Sequence, residues 1–163
     1  MENESLENII VPIGGLAVTN KPAILQTLLG SCVSVTMFDP VCHVAGLNHI
    51  VLPGTFLEHD FEQMLDEKNS RYGIFSLEKL LYQMEQFGTK RKDIIAKIFG
   101  ASIMNRPDKS VLKVQESNVE FVEAFLSMAR IKIIEKIVLQ PEPLKIFLNT
   151  LSGEVKIVRL KNL

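Results

Sequence analysis

The chain has 163 residues, 47% of them hydrophobic and 23% charged, and a formal net charge of -1. That length suits one domain over residues 1–163, with a core large enough to need no metal or disulfide staple. The near-neutral charge lacks the basic face of a nucleic-acid binder and the polybasic cluster of a membrane anchor, so a protein or a small molecule is the expected partner.

The N-terminus, MENESLEN, is acidic where a signal peptide would be basic and then apolar, and residues 1–8 read as a flexible leader. No apolar run approaches the length of a membrane span, so the expected location is cytoplasmic, without membrane insertion. A reducing compartment disfavours a Cys32–Cys42 disulfide, and both cysteines are expected to be free thiols.

Residues 9–19, IIVPIGGLAVT, read as one strand bent at Gly14-Gly15. Residues 32–38 (CVSVTMF) and 43–52 (HVAGLNHIVL) read as two more, joined by a turn at 39–42 around Asp39-Pro40. Pro53-Gly54 ends the second of these, and the acidic stretch 55–70, which holds His59, reads as a long surface loop. Leu77, Leu80, Leu81 and Met84 recur at helical spacing, which predicts a helix over 74–87 with Gly88 at its C-cap. The strand DIIAKIFG then ends in a turn at Gly100, where one glycine is too few for a phosphate cradle. SNVE at 117–120 has the spacing of a capping box, so the second helix is predicted to start at Ser117 and to bury Phe121, Ala124, Phe125 and Met128. IKIIEKIVL and LKIFLNT are strands separated by Pro141 and Pro143, and LSGEVKIVRL closes the chain as a hairpin turning at Ser152-Gly153. Six or seven strands with two helices, not strictly alternating, predict an α/β sandwich.

Both cysteines and two of the three histidines fall between residues 28 and 53. If the hairpin turns at 39–42, Phe38 faces His43, and counting back along both strands sets Cys32 directly opposite His49. Cross-strand Cβ atoms are then about 4.5–5.5 Å apart, close enough for an imidazole to take a thiol proton and give a thiolate–imidazolium pair. The facing depends on the register. Gly30 and Ser31, just upstream, remove bulk and let backbone N–H groups point at a developing oxyanion, while Thr27 is near enough to orient the ring. Ser31 and Asn48 are candidate donors to a substrate amide. The alternative is that Cys32 is a small buried hydrophobe and that Ser31 and Asn48 satisfy turn backbone. Cys42 sits in the turn with no base placed beside it, and the cysteines and histidines lack the paired spacing of a zinc site.

At these residues the chain resembles the CheD family, the chemoreceptor glutamine deamidases of bacterial chemotaxis. The resemblance is carried by TLLGSCVSV, GLNHIVLP, RYGIFSLEKLL and AKIFG, in that order and spacing. It implies an α/β fold of packed mixed β-sheets flanked by helices, an αββ sandwich like that of glutamine-deamidating bacterial toxins. It also implies hydrolysis of glutamine side chains to glutamate with release of ammonia, using Cys32 as nucleophile, His49 as base and Thr27 as third residue. No metal or organic cofactor is implied. The implied partners are the cytoplasmic domain of a chemoreceptor and, in species that have it, the CheC phosphatase. Three blocks depart from the family pattern. Ala101 stands where a second glycine is usual, a GxRN block appears as QESN at 115–118, and a Gly- and Arg-Lys-rich segment appears as QPEPLK. Those departures leave room for a non-catalytic regulator that docks receptor or CheC. A thiol amidase with another substrate is the remoter reading.

Overall fold

The computed structural model describes residues 5–51, 73–105 and 108–161. The predicted loop at 55–70, with His59, and the Pro53-Gly54 stop lie outside them. The described strands are β1 (Glu7–Ile10), β2 (Leu16–Thr19), β3 (Ala23–Leu29), β4 (Val33–Asp39), β5 (Val44–Asn48), β6 (Ile95–Gly100), β7 (Lys132–Val138), β8 (Leu144–Asn149) and β9 (Val155–Arg159). The helices are α1 (Gly73–Gln86) and α2 (Lys109–Met128). They form two mixed sheets. Sheet A has the order β1-β3-β8-β9, with β1 and β3 parallel. Sheet B has the order β2-β5-β4-β6-β7, with β6 and β7 parallel.

Sheet B is the middle layer. One face of β4 sends Val33, Val35 and Met37 toward Leu77, Leu80, Met84, Val122 and Leu126 of the helices. Its other face sends Phe38 and Cys32 toward Leu25, Leu29, Ile146 and Leu148 of sheet A. Every residue of β4 is buried, including Ser34, Thr36 and Asp39, because the strand is covered on both sides. Three layers in the order helix, sheet, sheet agree with the predicted sandwich.

Helix α1 matches its predicted span within one residue at each end, and its predicted stripe of Leu77, Leu80, Leu81 and Met84 is buried. Four other expectations are corrected. Residues 9–19 are two strands in different sheets: the Gly14-Gly15 pair forms the turn by which the chain crosses from sheet A to sheet B. Residues Glu7 and Asn8, read as leader, are paired with Ala23 and Ile24 in sheet A. Helix α2 begins at Lys109, not Ser117. Its N-cap is Asp108, whose carboxylate accepts from the Ser110 N–H at 2.8 Å, while Ser117 lies mid-helix and donates back to the Lys113 carbonyl. The face buried in the core is Gln115, Asn118, Val119, Val122 and Leu126. Phe121 and Phe125 pack partly buried against this core, and with the exposed Ala124 and Met128 they line a groove between α2 and α1, opposite Ile74, Leu81 and Tyr82.

The fourth correction concerns the β4–β5 register. Phe38 pairs with Ala45 and Asp39 with Val44, so the turn occupies residues 40–43. Asp39 sets this. Its Oδ1 accepts from the N–H of Val41 at 2.8 Å and of Cys42 at 3.2 Å, which makes Asp39 the last paired residue. Burial alone would raise the Asp39 carboxyl, but those N–H groups outweigh it and hold the group below its ordinary value. The slide moves His49 opposite Ser34 and sets Cys32 one diagonal step from His49. Diagonal neighbours still share a face, about 7–8 Å apart.

Candidate active site

The site forms where the two sheets meet. Thr27 enters from β3 of sheet A, and Cys32 and His49 enter from sheet B, from the residues just before β4 and just after β5. His49 is held by its own backbone. Its N–H donates to the Gly15 carbonyl and its carbonyl accepts from the Gly14 N–H, both at 2.9 Å. The turn that links the sheets thereby fixes where the imidazole emerges. Beside it the β4–β5 ladder is altered, because the Val35 N–H is taken by Asn48 Oδ1 at 2.8 Å. Asn48 is fully buried, and its Nδ2 has no partner among the described residues. The ladder closes again at Val33 and Ile50, whose N–H and carbonyl groups bond reciprocally.

Thr27 Oγ1 lies 2.8 Å from the Val11 carbonyl oxygen and 2.7 Å from His49 Nδ1. A hydroxyl has one hydrogen, and a carbonyl oxygen can only accept. The Thr27 hydrogen therefore goes to Val11, and the proton between Thr27 and His49 belongs to Nδ1. Donor counting thus assigns neutral His49 as the Nδ1–H tautomer, with the lone pair of Nε2 free. Nε2 is buried and without a partner among the described residues. Ser34, directly across the ladder in register, also has a buried hydroxyl without a partner among them.

Cys32 is half-buried and its thiol is free, while Cys42 is exposed at the far end of the β4–β5 hairpin. Burial pushes the Cys32 thiol up and the His49 imidazole down from their ordinary values. No hydrogen bond joins the Cys32 sulfur to His49 Nε2. Both shifts favour the neutral form of each group at rest.

The turn before Cys32 is tied down through three consecutive carbonyls. Gly30 O accepts from the Ser102 N–H at 3.0 Å and Cys32 O from the Ala101 N–H at 2.8 Å. Ser31 O accepts from Gln115 Nε2 at 3.1 Å. Gly100 permits this contact. It has a φ of 102°, and a Cβ there would overlap the Cys32 carbonyl oxygen. Ala101 follows at a φ of 49°, a left-handed backbone that favours glycine. Sequence reasoning took Gly100 for a plain turn and missed Gln115, Ser102 and Ser34. The QESN departure was the one signal pointing near Gln115.

Of the residues singled out from sequence, the fold brings Thr27 and His49 into contact and joins Gly30, Ser31 and Cys32 in one clamped turn. Asn48 sits behind His49 in the ladder. These groups come from three short stretches of the chain, at 27, 30–32 and 48–49.

Comparison with known proteins shows the family of the chain. The family described as "CheD chemotactic sensory transduction" matches residues 51–159, a stretch that begins just after His49. Whole-chain similarity extends upstream of it. A protein of Laribacter hongkongensis named "Probable chemoreceptor glutamine deamidase CheD" is 34% identical over 161 residues, covering 98% of this chain and 75% of its own length. One of the same name from Sulfurimonas denitrificans is 35% identical over 141 residues, covering 86% of each. Among solved structures, the Bacillus licheniformis hypothetical protein YfiH superposes with a TM-score of 0.46 at 18% identity, covering 77% of this chain and 51% of that one. By the family match and by relatives this similar along most of its length, the chain belongs to the CheD family.

Proposed function

We propose that this protein hydrolyses glutamine side chains of chemoreceptor cytoplasmic domains to glutamate, with Cys32 as nucleophile and His49 as base. The observation that carries the reading is the Thr27–His49 contact, which leaves an unpartnered Nε2 lone pair on the face shared with Cys32. The names of the relatives supply the substrate class.

In the first half-reaction His49 Nε2 takes the thiol proton as Cys32 Sγ bonds to the carboxamide carbon, and the carbonyl electrons move onto oxygen. The N–H groups of Ser31 and Cys32 receive that oxyanion. Neither donates to another described residue. When the tetrahedral species collapses, His49 returns the proton to the leaving nitrogen, and ammonia departs from a thioester. Water then gives its proton to His49 and attacks the thioester carbon, releasing glutamate and the thiol. Thr27 keeps Nδ1 as the donor throughout and so keeps Nε2 as the working nitrogen. Asn48 acts indirectly, by holding the ladder open beside His49. A protein substrate suits the surroundings: exposed Ile13 lies in the turn that bonds His49, and exposed Met104 packs against Gly30.

The direct test is ammonia release from purified chemoreceptor cytoplasmic domains. Steady release from at least one of the host's receptors is expected. Tight binding with no ammonia from any of them would instead make the protein a docking module.

A resting neutral pair also has a pH signature. Because burial lowers the His49 pKa, its active neutral form persists below the usual imidazole range, and turnover should fall on the acid side only below about pH 6.5. Because burial raises the Cys32 pKa, alkylation of Cys32 by iodoacetamide should still be climbing at about pH 9. A rate already level at neutral pH would mean a preformed thiolate.

A further inference from the structure

We propose that Gln115 of α2 is a positioning residue for the oxyanion site, holding the Gly30–Ser31–Cys32 turn so that its N–H groups face the substrate. The inference rests on the cysteine-nucleophile reading above.

Gln115 stands on a helix whose early turns face solvent, yet it is buried. Its Nε2 donates to two carbonyls, Ser31 O and Ser102 O, each at 3.1 Å. These come from the two loops that meet at the cysteine. Its Oε1 accepts from Asn118 Nδ2 at 3.2 Å, which fixes the orientation of the carboxamide and leaves both Nε2 hydrogens for the two carbonyls. Buried carboxamides that use both donors on backbone are local rivets.

The chemical consequence follows from peptide geometry. The Ser31 carbonyl and the Cys32 N–H belong to the same peptide plane and point in opposite directions. Drawing Ser31 O toward Gln115 therefore turns the Cys32 N–H away from α2. The Gly30 carbonyl, drawn toward the Ser102 N–H, does the same for the Ser31 N–H. Two adjacent N–H groups are thus presented together, as an oxyanion requires. Ser102 is held in turn, because its own carbonyl is the second acceptor of Gln115 and its single hydroxyl hydrogen is shared between the Gln140 and Pro141 carbonyls, at 3.0 and 3.1 Å. Met at position 115 would keep the volume and lose both donors.

The test compares two reactions of Cys32, in a Cys42→Ser background so that the exposed thiol does not react. Iodoacetamide alkylates the sulfur by displacing iodide and forms no oxyanion. p-Nitrophenyl acetate acylates it through a tetrahedral oxyanion, releasing p-nitrophenolate and leaving an acetyl thioester. Gln115→Met is expected to lower the acylation rate about tenfold to a hundredfold while alkylation stays within about twofold. On a receptor domain the same variant should lower kcat and leave KM unchanged. Asn118→Ala, which frees the carboxamide without removing it, should lower the acylation-to-alkylation ratio by a smaller factor, and it carries the test if Gln115→Met does not fold. An unchanged ratio, or a parallel fall in both rates, would overturn the proposal. Failure of the unmutated Cys32 to acylate at all would strike the nucleophile reading itself, and is distinguished by appearing before any change at 115.

Discussion

His49→Gln should lower turnover on a receptor domain by about 100- to 10,000-fold, the range associated with loss of a general base. The substitution is chosen to separate chemistry from packing. A glutamine amide can still donate to Thr27 Oγ1, so the buried hydroxyl keeps its partner, and the chain should unfold in urea at nearly the same midpoint. What it lacks is a group that takes and returns a proton. Thr27→Val should cost less in rate, about 10- to 100-fold, because the imidazole remains but its Nδ1 proton loses the acceptor that fixes the tautomer. It should cost more in stability, about 1–3 kcal/mol, since the buried Val11 carbonyl loses its donor. A His49→Gln protein that keeps a tenth of the activity would remove His49 from the mechanism.

The second large effect is expected at a residue that has no side chain to titrate. Gly100→Ala should destabilise the fold by about 3–5 kcal/mol, near the upper end for a single substitution. Two costs combine. The backbone at Gly100 has a φ of 102°, which an L side chain resists, and the new Cβ would overlap the Cys32 carbonyl oxygen. Main chain cannot rotate away as a flexible side chain can. Either β6 or the cysteine turn must move, and the 2.8 Å bond from Ala101 N–H to Cys32 O is the first to break. Acylation of Cys32 should therefore collapse even in the fraction that stays folded. Urea denaturation and the acylation rate read the two effects separately. A variant as stable and as reactive as the parent would mean that the Gly100–Cys32 contact is unimportant.

The contrast between these two sites reflects what a sequence can carry. Local periodicity was sufficient for α1, because Leu77, Leu80, Leu81 and Met84 face one core and nothing interrupts their spacing. It was not sufficient for α2, whose first turns are largely exposed and whose buried positions include the polar Gln115 and Asn118. There the polar cap at Asp108 carries the start, and the apolar residues divide between the core and a groove. Strand alternation placed Cys32 and His49 on one face correctly. The exact pairing depended on which residue ended the strand, and that was decided by the Asp39 carboxylate bonding forward to Val41 and Cys42. Because the register moved by a whole pleat period, the shared face survived. The switch between sheets at Gly14-Gly15 and the clamp from residues 100–102 are contacts between distant segments. Their donors and acceptors are mostly backbone groups, which every residue possesses and no motif announces. Nearness in sequence offered Thr27 as the group that orients the ring, the family resemblance implied it as third residue, and the Thr27–His49 contact at 2.7 Å gives it a physical role to test.

Attack of Cys32 on a receptor glutamine leaves a change in mass at that residue. Tandem mass spectrometry of a chemoreceptor cytoplasmic domain, incubated with the protein or with Cys32→Ala, tests it most directly. Specific glutamines should gain about 1 Da on conversion to glutamate with the unmutated protein, and none should do so with Cys32→Ala. Equal conversion by the alanine variant would contradict it.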